Sequence, residues 1–373
     1  MRINAGVHEM IGRTRVGQLT TSCLRGAIGA LGLALLGACD EPGNRLPAAG
    51  ARLDQTSLSG ISAGAYMAGQ FQMAHSRDVV GVGIIAGGPY GCAESVYAGV
   101  MPGPGATFLN LSKAMNGCML NALQPWGIPD PAQLARRARQ FADEGKIDPV
   151  ENVLDDRVYV FTGREDRTVV PEIVSSAVAF YSALGVPGDG IRFVKDIPAG
   201  HALVTADWGG SCDQTASPYI VDCNYDQVGA MLRHIYGELN PKVAQPAGET
   251  HAFDQREFVS DLPEHGLGDS GVVYVPPDCR ESGGCRVHVV LHGCAQSLAA
   301  VGEVLVAHAG YLGWADANRL IVLFPQVRST PANPQACWDW WGYTGAKFLT
   351  RDGPQIVAIR RMLERLAAPR SMI

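Results

Sequence analysis

An α/β architecture, with a mostly parallel central sheet and helices on both faces, is what this sequence predicts for one domain over residues 53–373. Three observations carry that expectation. Short apolar runs alternate with helix-length segments along the chain, as in sheets wrapped by helices. Several of the runs are continuously apolar, which suits strands buried on both faces of a parallel sheet. Apolar residues make up 47% of 373 residues and charged residues 18%, enough for one large core.

The first 38 residues read as an export signal, with basic residues first and then the apolar stretch 27–36, too short to span a bilayer as a helix. Leu36-Gly37-Ala38-Cys39 resembles the bacterial lipobox, in which the cysteine is lipidated and becomes the mature N-terminus. An exported protein held at a membrane only by a lipid on Cys39 is therefore expected, at the periplasmic or cell surface. Ordinary cleavage after Ala38, releasing a secreted chain, is the alternative. Residues 39–52 follow as a Pro-, Gly- and Ala-rich tether.

A half-apolar run at 53–58 reads as the first strand, and Met67, Phe71 and Ala74 recur at helical spacing after it. Further strands are expected at 79–86, 157–162, 191–197, 272–275, 287–291 and 320–324. Helices are expected at 131–144, 170–184, 301–317 and 355–366. Residues 95–150 form a long insertion containing Trp126, and part of a cap over the site is expected there.

Between the first strand and helix lies Gly60-Ile61-Ser62-Ala63-Gly64. A serine with glycine two residues to either side can occupy a sharp strand-to-helix turn with its Oγ projecting from the sheet. Ser62 is the expected nucleophile, although the same serine could instead cap the helix. A serine nucleophile needs a base, and the base needs a carboxylate. In α/β hydrolases these follow in the order Ser, acid, His, each at a strand end. Asp166, after the strand at 157–162, and His201, after that at 191–197, fit this order. Glu165, Asp155 and Asp156 are the other acids at hand. His75, His234, His288 and His308 are weaker bases, because they fall inside expected helices or a strand.

An oxyanion needs backbone N–H donors. Ala63, directly after the nucleophile, supplies one, and the loop Leu291-His292-Gly293-Cys294 after an apolar strand supplies the other, near Gly293 and Cys294. In most α/β hydrolases that strand precedes the nucleophile, whereas here it lies over 200 residues after it. The C-terminal helix explains the inversion. It is the helix expected just before the nucleophile strand, so its end is expected near Leu53 and the chain reads as a circular permutation.

Ten cysteines are present. Setting aside Cys23 and Cys39 leaves Cys92, Cys118, Cys212, Cys223, Cys279, Cys285, Cys294 and Cys337, an even number suited to disulfides in an exported chain. Eight cysteines allow 105 connectivities. Sequence proximity favours 92 with 118, 212 with 223, 279 with 285 and 294 with 337. No Cys-x-x-Cys or His-x₃-His pattern points to zinc, and neither metal nor organic cofactor is indicated. The formal net charge of −6, with a basic leader that leaves the remainder more acidic still, argues against nucleic acid as the main partner. Oligomeric state has no signal in the sequence.

Four stretches together carry a family resemblance: Ser59-Gly60-Ile61-Ser62-Ala63-Gly64-Ala65-Tyr66-Met67-Ala68, Gly87-Gly88-Pro89-Tyr90-Gly91-Cys92-Ala93, Leu291-His292-Gly293-Cys294-Ala295-Gln296 and Cys337-Trp338-Asp339-Trp340-Trp341. In this order they resemble extracellular poly(3-hydroxybutyrate) depolymerases of the circularly permuted kind, over nearly all of residues 53–373. The resemblance implies hydrolysis of polyester or oligoester bonds through an acyl-enzyme. Ser62 would attack, His201 would act as base then acid, Asp166 would orient it, and the amides of Ala63 and Cys294 would hold the oxyanion. It also implies a hydrophobic crevice, with His292, Trp338, Trp340 and Trp341 as expected substrate-binding residues. A 294–337 bridge would pin the oxyanion loop to the tryptophan segment. The chain ends soon after its last helix, with no room for a polymer-binding module, so amorphous polymer, oligomers or small esters are the expected substrates. Carbohydrate esterases share this fold and form the nearest alternative. A non-catalytic surface lipoprotein on the same scaffold is the alternative of a different class.

Overall fold

The computed structural model describes residues 44–95, 101, 106–122 and 130–370. The expected export signal, the expected lipidation site Cys39 and Trp126 lie outside the described residues. The chain forms β1 (Thr56–Ile61), β2 (Val79–Ile85), β3 (Arg157–Phe161) and β4 (Ile191–Val194), then β5 (Leu203–Thr205), β6 (Gly210–Ser211) and β7 (Ile220–Asp222). It continues with β8 (Glu249–Asp254), β9 (Ser270–Val275), β10 (Arg286–Leu291) and β11 (Leu320–Phe324).

Eight strands make one sheet in the order β4-β3-β2-β1-β10-β11-β9-β8, and β5, β7 and β6 make a small second sheet. From β4 to β11 every neighbouring pair is parallel. Strand β9 runs antiparallel to both β11 and β8. The central strands are covered on both faces: every residue of β1 and β11 is buried, and the buried hydroxyls of Ser57 and Ser59 in β1 pair with the His288 ring in β10 at 2.6 and 2.7 Å. Helices on the two sides pack against two separate apolar clusters.

The chain starts in the middle of the sheet, runs out to one edge, and returns from the other edge inward. The seam of this permutation is visible as hydrogen bonds. The C-terminal helix Pro354–Ala367 ends where the amides of Ala49 and Ala51 both donate to the Leu366 carbonyl at 3.0 Å, and that of Gly50 to Ala368 at 3.0 Å. Joining these ends and cutting before β8 restores the usual order. The same bonds alter the reading of residues 39–52 as a tether. In its described part Leu46, Ala49 and Ala51 are buried, Asn44 accepts from the Asp254 amide at 2.8 Å, and Arg52 donates to Cys285 at 2.8 Å. That part is laid along the domain.

Other departures have local causes. The helix expected at 301–317 is broken into Val304–His308 and Tyr311–Ala317 by Gly310, whose φ of +91° no helix interior accommodates. The run 191–197 is a strand only through Val194. The helix α1 (Ala63–Ala74) is buried on all sides, not on one face, because it lies between the sheet and other segments of the chain. The insertion contributes helices Thr107–Cys118 and Pro131–Asp143, the second capped by Asp130, whose side chain accepts from the Ala132 amide at 2.9 Å. Disulfides join Cys92 to Cys118, Cys212 to Cys223, Cys279 to Cys285 and Cys294 to Cys337, the pairs that proximity favours. No helix among the described residues is long and apolar enough to cross a membrane.

Candidate active site

Ser62 stands alone between β1 and α1 with φ +58° and ψ −122°, a left-handed conformation that a side-chain-bearing residue rarely holds. Its own amide is tied to the Ile85 carbonyl at 2.9 Å. The flanking glycines are required by space. A Cβ on Gly60 would overlap the Gly64 backbone, and one on Gly64 would overlap the Leu291 and His292 carbonyls. The turn therefore presses β1 and α1 against the end of β10. The side chain of Ser62 makes no capping bond to α1, which removes helix capping as its task.

Asp166 follows β3 and is buried. Its Oδ1 accepts from the amides of Thr168 at 2.8 Å and Val169 at 3.0 Å, and its Oδ2 lies 2.8 Å from Nδ1 of His201. A carboxylate whose other oxygen accepts two amides accepts here as well, so in the neutral ring the proton sits on Nδ1 and the lone pair on Nε2. The two loops that carry this pair are stitched together: Arg164 donates to Ile197 at 2.8 Å and Glu165 to Ala199 at 3.0 Å. A Cβ on Gly163 would overlap the Ala199 carbonyl, so only glycine allows this approach. The His201 amide is fixed by Thr215 Oγ1 at 2.8 Å. The other acids lie elsewhere. Glu165 pairs with Arg164 and Arg167 at the surface, while Asp155 and Asp156 precede β3 at the opposite end of the strand.

Ser62 and His201 share a cavity of about 240 Å³, also lined by Ile61, Met119, Thr168 and Tyr219 and by the loop from Gly293 to Gln296. In that loop the Gly293 amide is engaged by Gln296 Oε1 at 2.9 Å and the Ala295 amide by the Gln335 carbonyl at 2.6 Å. Between them the Cys294 amide has no acceptor among the described residues, and neither has that of Ala63 at the start of α1. The residue pattern placed the donor near Gly293 and Cys294 and the family resemblance implied Cys294; of the two, only the Cys294 amide has no acceptor among the described residues.

The expected substrate-binding residues lie away from this cavity. His292 is buried behind the loop, its Nε2 accepting from the Val327 amide at 3.2 Å and its Nδ1 donating to the Gly293 carbonyl at 2.7 Å. Burial pushes it down to about 4, so it is neutral and structural. Trp338, Trp340 and Trp341 are core residues. Trp338 packs on His292 with centroids 5.7 Å apart, Trp340 stacks on Tyr66 at 4.9 Å, and Trp341 packs on Tyr343 at 4.8 Å. Their loop is wound around Asp339, which accepts from the amides of Trp341, Gly342, Tyr343 and Thr344. An indole beside a catalytic motif reads alike in sequence whether it faces a cavity or a core.

Sequence reasoning missed Met119, Thr168, Thr215, Tyr219 and Gln335, which reach the cavity from loops with no periodic pattern. Gln296 carried a signal as part of the quoted His-Gly-Cys-Ala-Gln stretch. Its Nε2 also donates to the Pro218 carbonyl at 3.0 Å, joining the loop after β10 to the segment between β6 and β7. No group of three or more His, Cys, Asp or Glu side chains among the described residues is placed to hold a metal ion. A strained serine, an imidazole with a free Nε2 and two unclaimed amides around one cavity are the parts that acyl transfer requires.

No family model matches the chain. It is 38% identical over 328 residues to a poly(3-hydroxybutyrate) depolymerase of Delftia acidovorans, covering 87% of this chain and 62% of that protein. The chain thus spans less than two thirds of that relative's length. It is 32% identical over 346 residues to a polyhydroxybutyrate depolymerase of Talaromyces funiculosus, covering 88% of this chain and 94% of that one. Among solved structures it resembles a PHB depolymerase from Penicillium funiculosum, with a TM-score of 0.74, 32% identity, and coverage of 87% of this chain and 98% of that one. A PHB depolymerase complexed with an R3HB trimer matches with the same TM-score and coverage at 31% identity.

Proposed function

The chain belongs to the polyhydroxybutyrate depolymerase family, and on that premise we propose that it is a serine carboxylic ester hydrolase that cleaves poly(3-hydroxybutyrate) or its oligomers. The observation that carries this reading is the buried Asp166–His201 bond of 2.8 Å beside the strained Ser62, all at one end of the sheet.

Ser62 Oγ attacks the ester carbonyl while His201 Nε2 takes its proton. Asp166 keeps the proton on Nδ1 and stabilises the imidazolium that forms. The amides of Ala63 and Cys294 receive the oxyanion, a contribution of about 10²–10³ in rate per donor in comparable sites. Collapse expels the alcohol end of the chain, which takes the proton back from Nε2. Water, activated by the same nitrogen, then hydrolyses the acyl-enzyme.

Phe108, Leu109 and Met115 are exposed on the helix that leads to Met119 at the cavity wall, an apolar face suited to a water-insoluble polyester. The four disulfides fit an oxidising, extracytoplasmic compartment. Anchoring through a lipid on Cys39 is part of the proposal, and mass spectrometry of the mature N-terminus checks it: an unmodified Cys39 on a released chain contradicts it.

Product analysis separates the polyester reading from a carbohydrate esterase. Release of 3-hydroxybutyrate oligomers from amorphous polymer, and of monomer from dimers and trimers, is expected. Release of ferulate or acetate from substituted polysaccharide, with the polyester untouched, would overturn it.

A further inference from the structure

The cavity wall beside Ser62 is more apolar than polar; Ile61, Tyr219 and Ala295 contribute to it, and Met119 adds its one long, unbranched apolar side chain. The residue is half-buried and packs against the main apolar cluster. Its backbone is fastened to both halves of the site. The Met119 carbonyl accepts from the Val170 amide at 2.9 Å, in the loop that follows Asp166. The preceding carbonyl, of Cys118, accepts from the Tyr66 hydroxyl at 2.5 Å, on the first turn of α1 after Ser62. Cys118 is also bridged to Cys92. With the backbone fixed by these three fastenings, the Met119 side chain is anchored at the rim of the cavity and bounds its width on one side.

We propose that Met119 is a specificity-determining residue that limits the alkyl branch accepted on the acyl unit, favouring a methyl branch over longer ones. This rests on the ester-hydrolase reading above. The acyl carbon must sit over Ser62 with its oxygen toward Cys294 and Ala63. Thr168, Thr215 and Gln335 offer polar contacts around it. An apolar branch is matched by Met119, and each further methylene must displace its side chain. In apolar pockets one methylene discriminates by roughly 10- to 200-fold.

The test compares kcat/KM for trimers of 3-hydroxybutyrate and 3-hydroxyhexanoate in the parent, Met119→Leu and Met119→Ala. Met119→Ala is expected to raise the ratio of hexanoate to butyrate trimer by roughly 10-fold or more. Met119→Leu, close in volume, is expected to stay near the parent. A ratio unchanged within about twofold in an Ala variant that still turns over the butyrate trimer would overturn the assignment. The same ratio on the p-nitrophenyl esters of 3-hydroxyhexanoate and 3-hydroxybutyrate tests the branch pocket without a polyester. A parent inactive on both trimers but active on these esters rejects the polyester reading, while their ratio in the Ala variant still decides the role of Met119.

Discussion

The side-chain carbonyl of Gln296 accepts the amide of Gly293 at 2.9 Å, one residue before the amide proposed to hold the oxyanion. Through its Nε2 the same side chain fastens the loop to Pro218. Gln296→Ala leaves the buried Gly293 amide and the half-buried Pro218 carbonyl without their partner. A loss of about 1–3 kcal/mol in stability is expected. A fall in kcat of about 10²-fold, larger than any change in KM, is expected as Cys294 moves off its aim. Urea unfolding and steady-state kinetics on a soluble ester check both. An unchanged kcat would mean that the loop holds its shape without this bond.

Asp166→Asn keeps an acceptor for the Thr168 and Val169 amides but loses the charge that fixes the His201 tautomer. Circular dichroism is expected to match the parent, while kcat falls by about 10⁴-fold. A variant within tenfold of the parent would mean that another carboxylate serves His201.

The bridge from Cys294 to Cys337 closes a 43-residue separation and joins the loop after β10 to the segment wound around Asp339. Loop-closure entropy for that length gives about 4 kcal/mol. Cys337→Ser is expected to lower unfolding free energy by up to that amount and to reduce kcat, because the bridge ends on the oxyanion loop. Thermal melting with kinetics below the transition checks it.

Asp156 lies far from the cavity and carries a pH dependence of stability. Burial pushes its carboxyl up to about 7, against the single bond it accepts from Gln72 Nε2 at 2.7 Å. The unfolded chain gives up this proton near pH 4, whereas the folded chain keeps it until about 7. Folding is therefore favoured by this group below that window and loses the contribution as pH rises through it. Asp156→Asn is expected to flatten the fall in stability between pH 5 and 8, a difference on the order of a few kcal/mol. Denaturant unfolding across that range measures it. A parent whose stability does not fall relative to the variant would contradict this.

How much was legible in the sequence followed from burial and spacing. Strands β2, β3 and β11, and β10 apart from His288, were readable because two covered faces demand continuous apolar runs; the first strand was expected at 53–58 but lies at Thr56–Ile61, since buried Thr56, Ser57 and Ser59 interrupt its apolar pattern. Strand β8 was not, since Glu249, Thr250 and His251 lie exposed on an edge that charge protects from pairing. The two- and three-residue strands of the small sheet are too short for any pattern. Ser62, Asp166 and His201 were readable because each follows a strand end in a fixed order. Met119 and Tyr219 reach the cavity from loops, and nothing periodic marks them. The tryptophans at 338, 340 and 341 misled because a motif records which residues occur together but not which way a side chain faces.

On this account acyl transfer runs through Ser62. Treating the intact protein with a serine-directed organophosphonate, then mapping the adduct by peptide mass spectrometry while following hydrolysis of 3-hydroxybutyrate trimer, tests it directly. Stoichiometric modification of Ser62 that rises in step with loss of turnover is the expected result. Full turnover in Ser62→Ala, or complete inactivation with Ser62 unmodified, would contradict it.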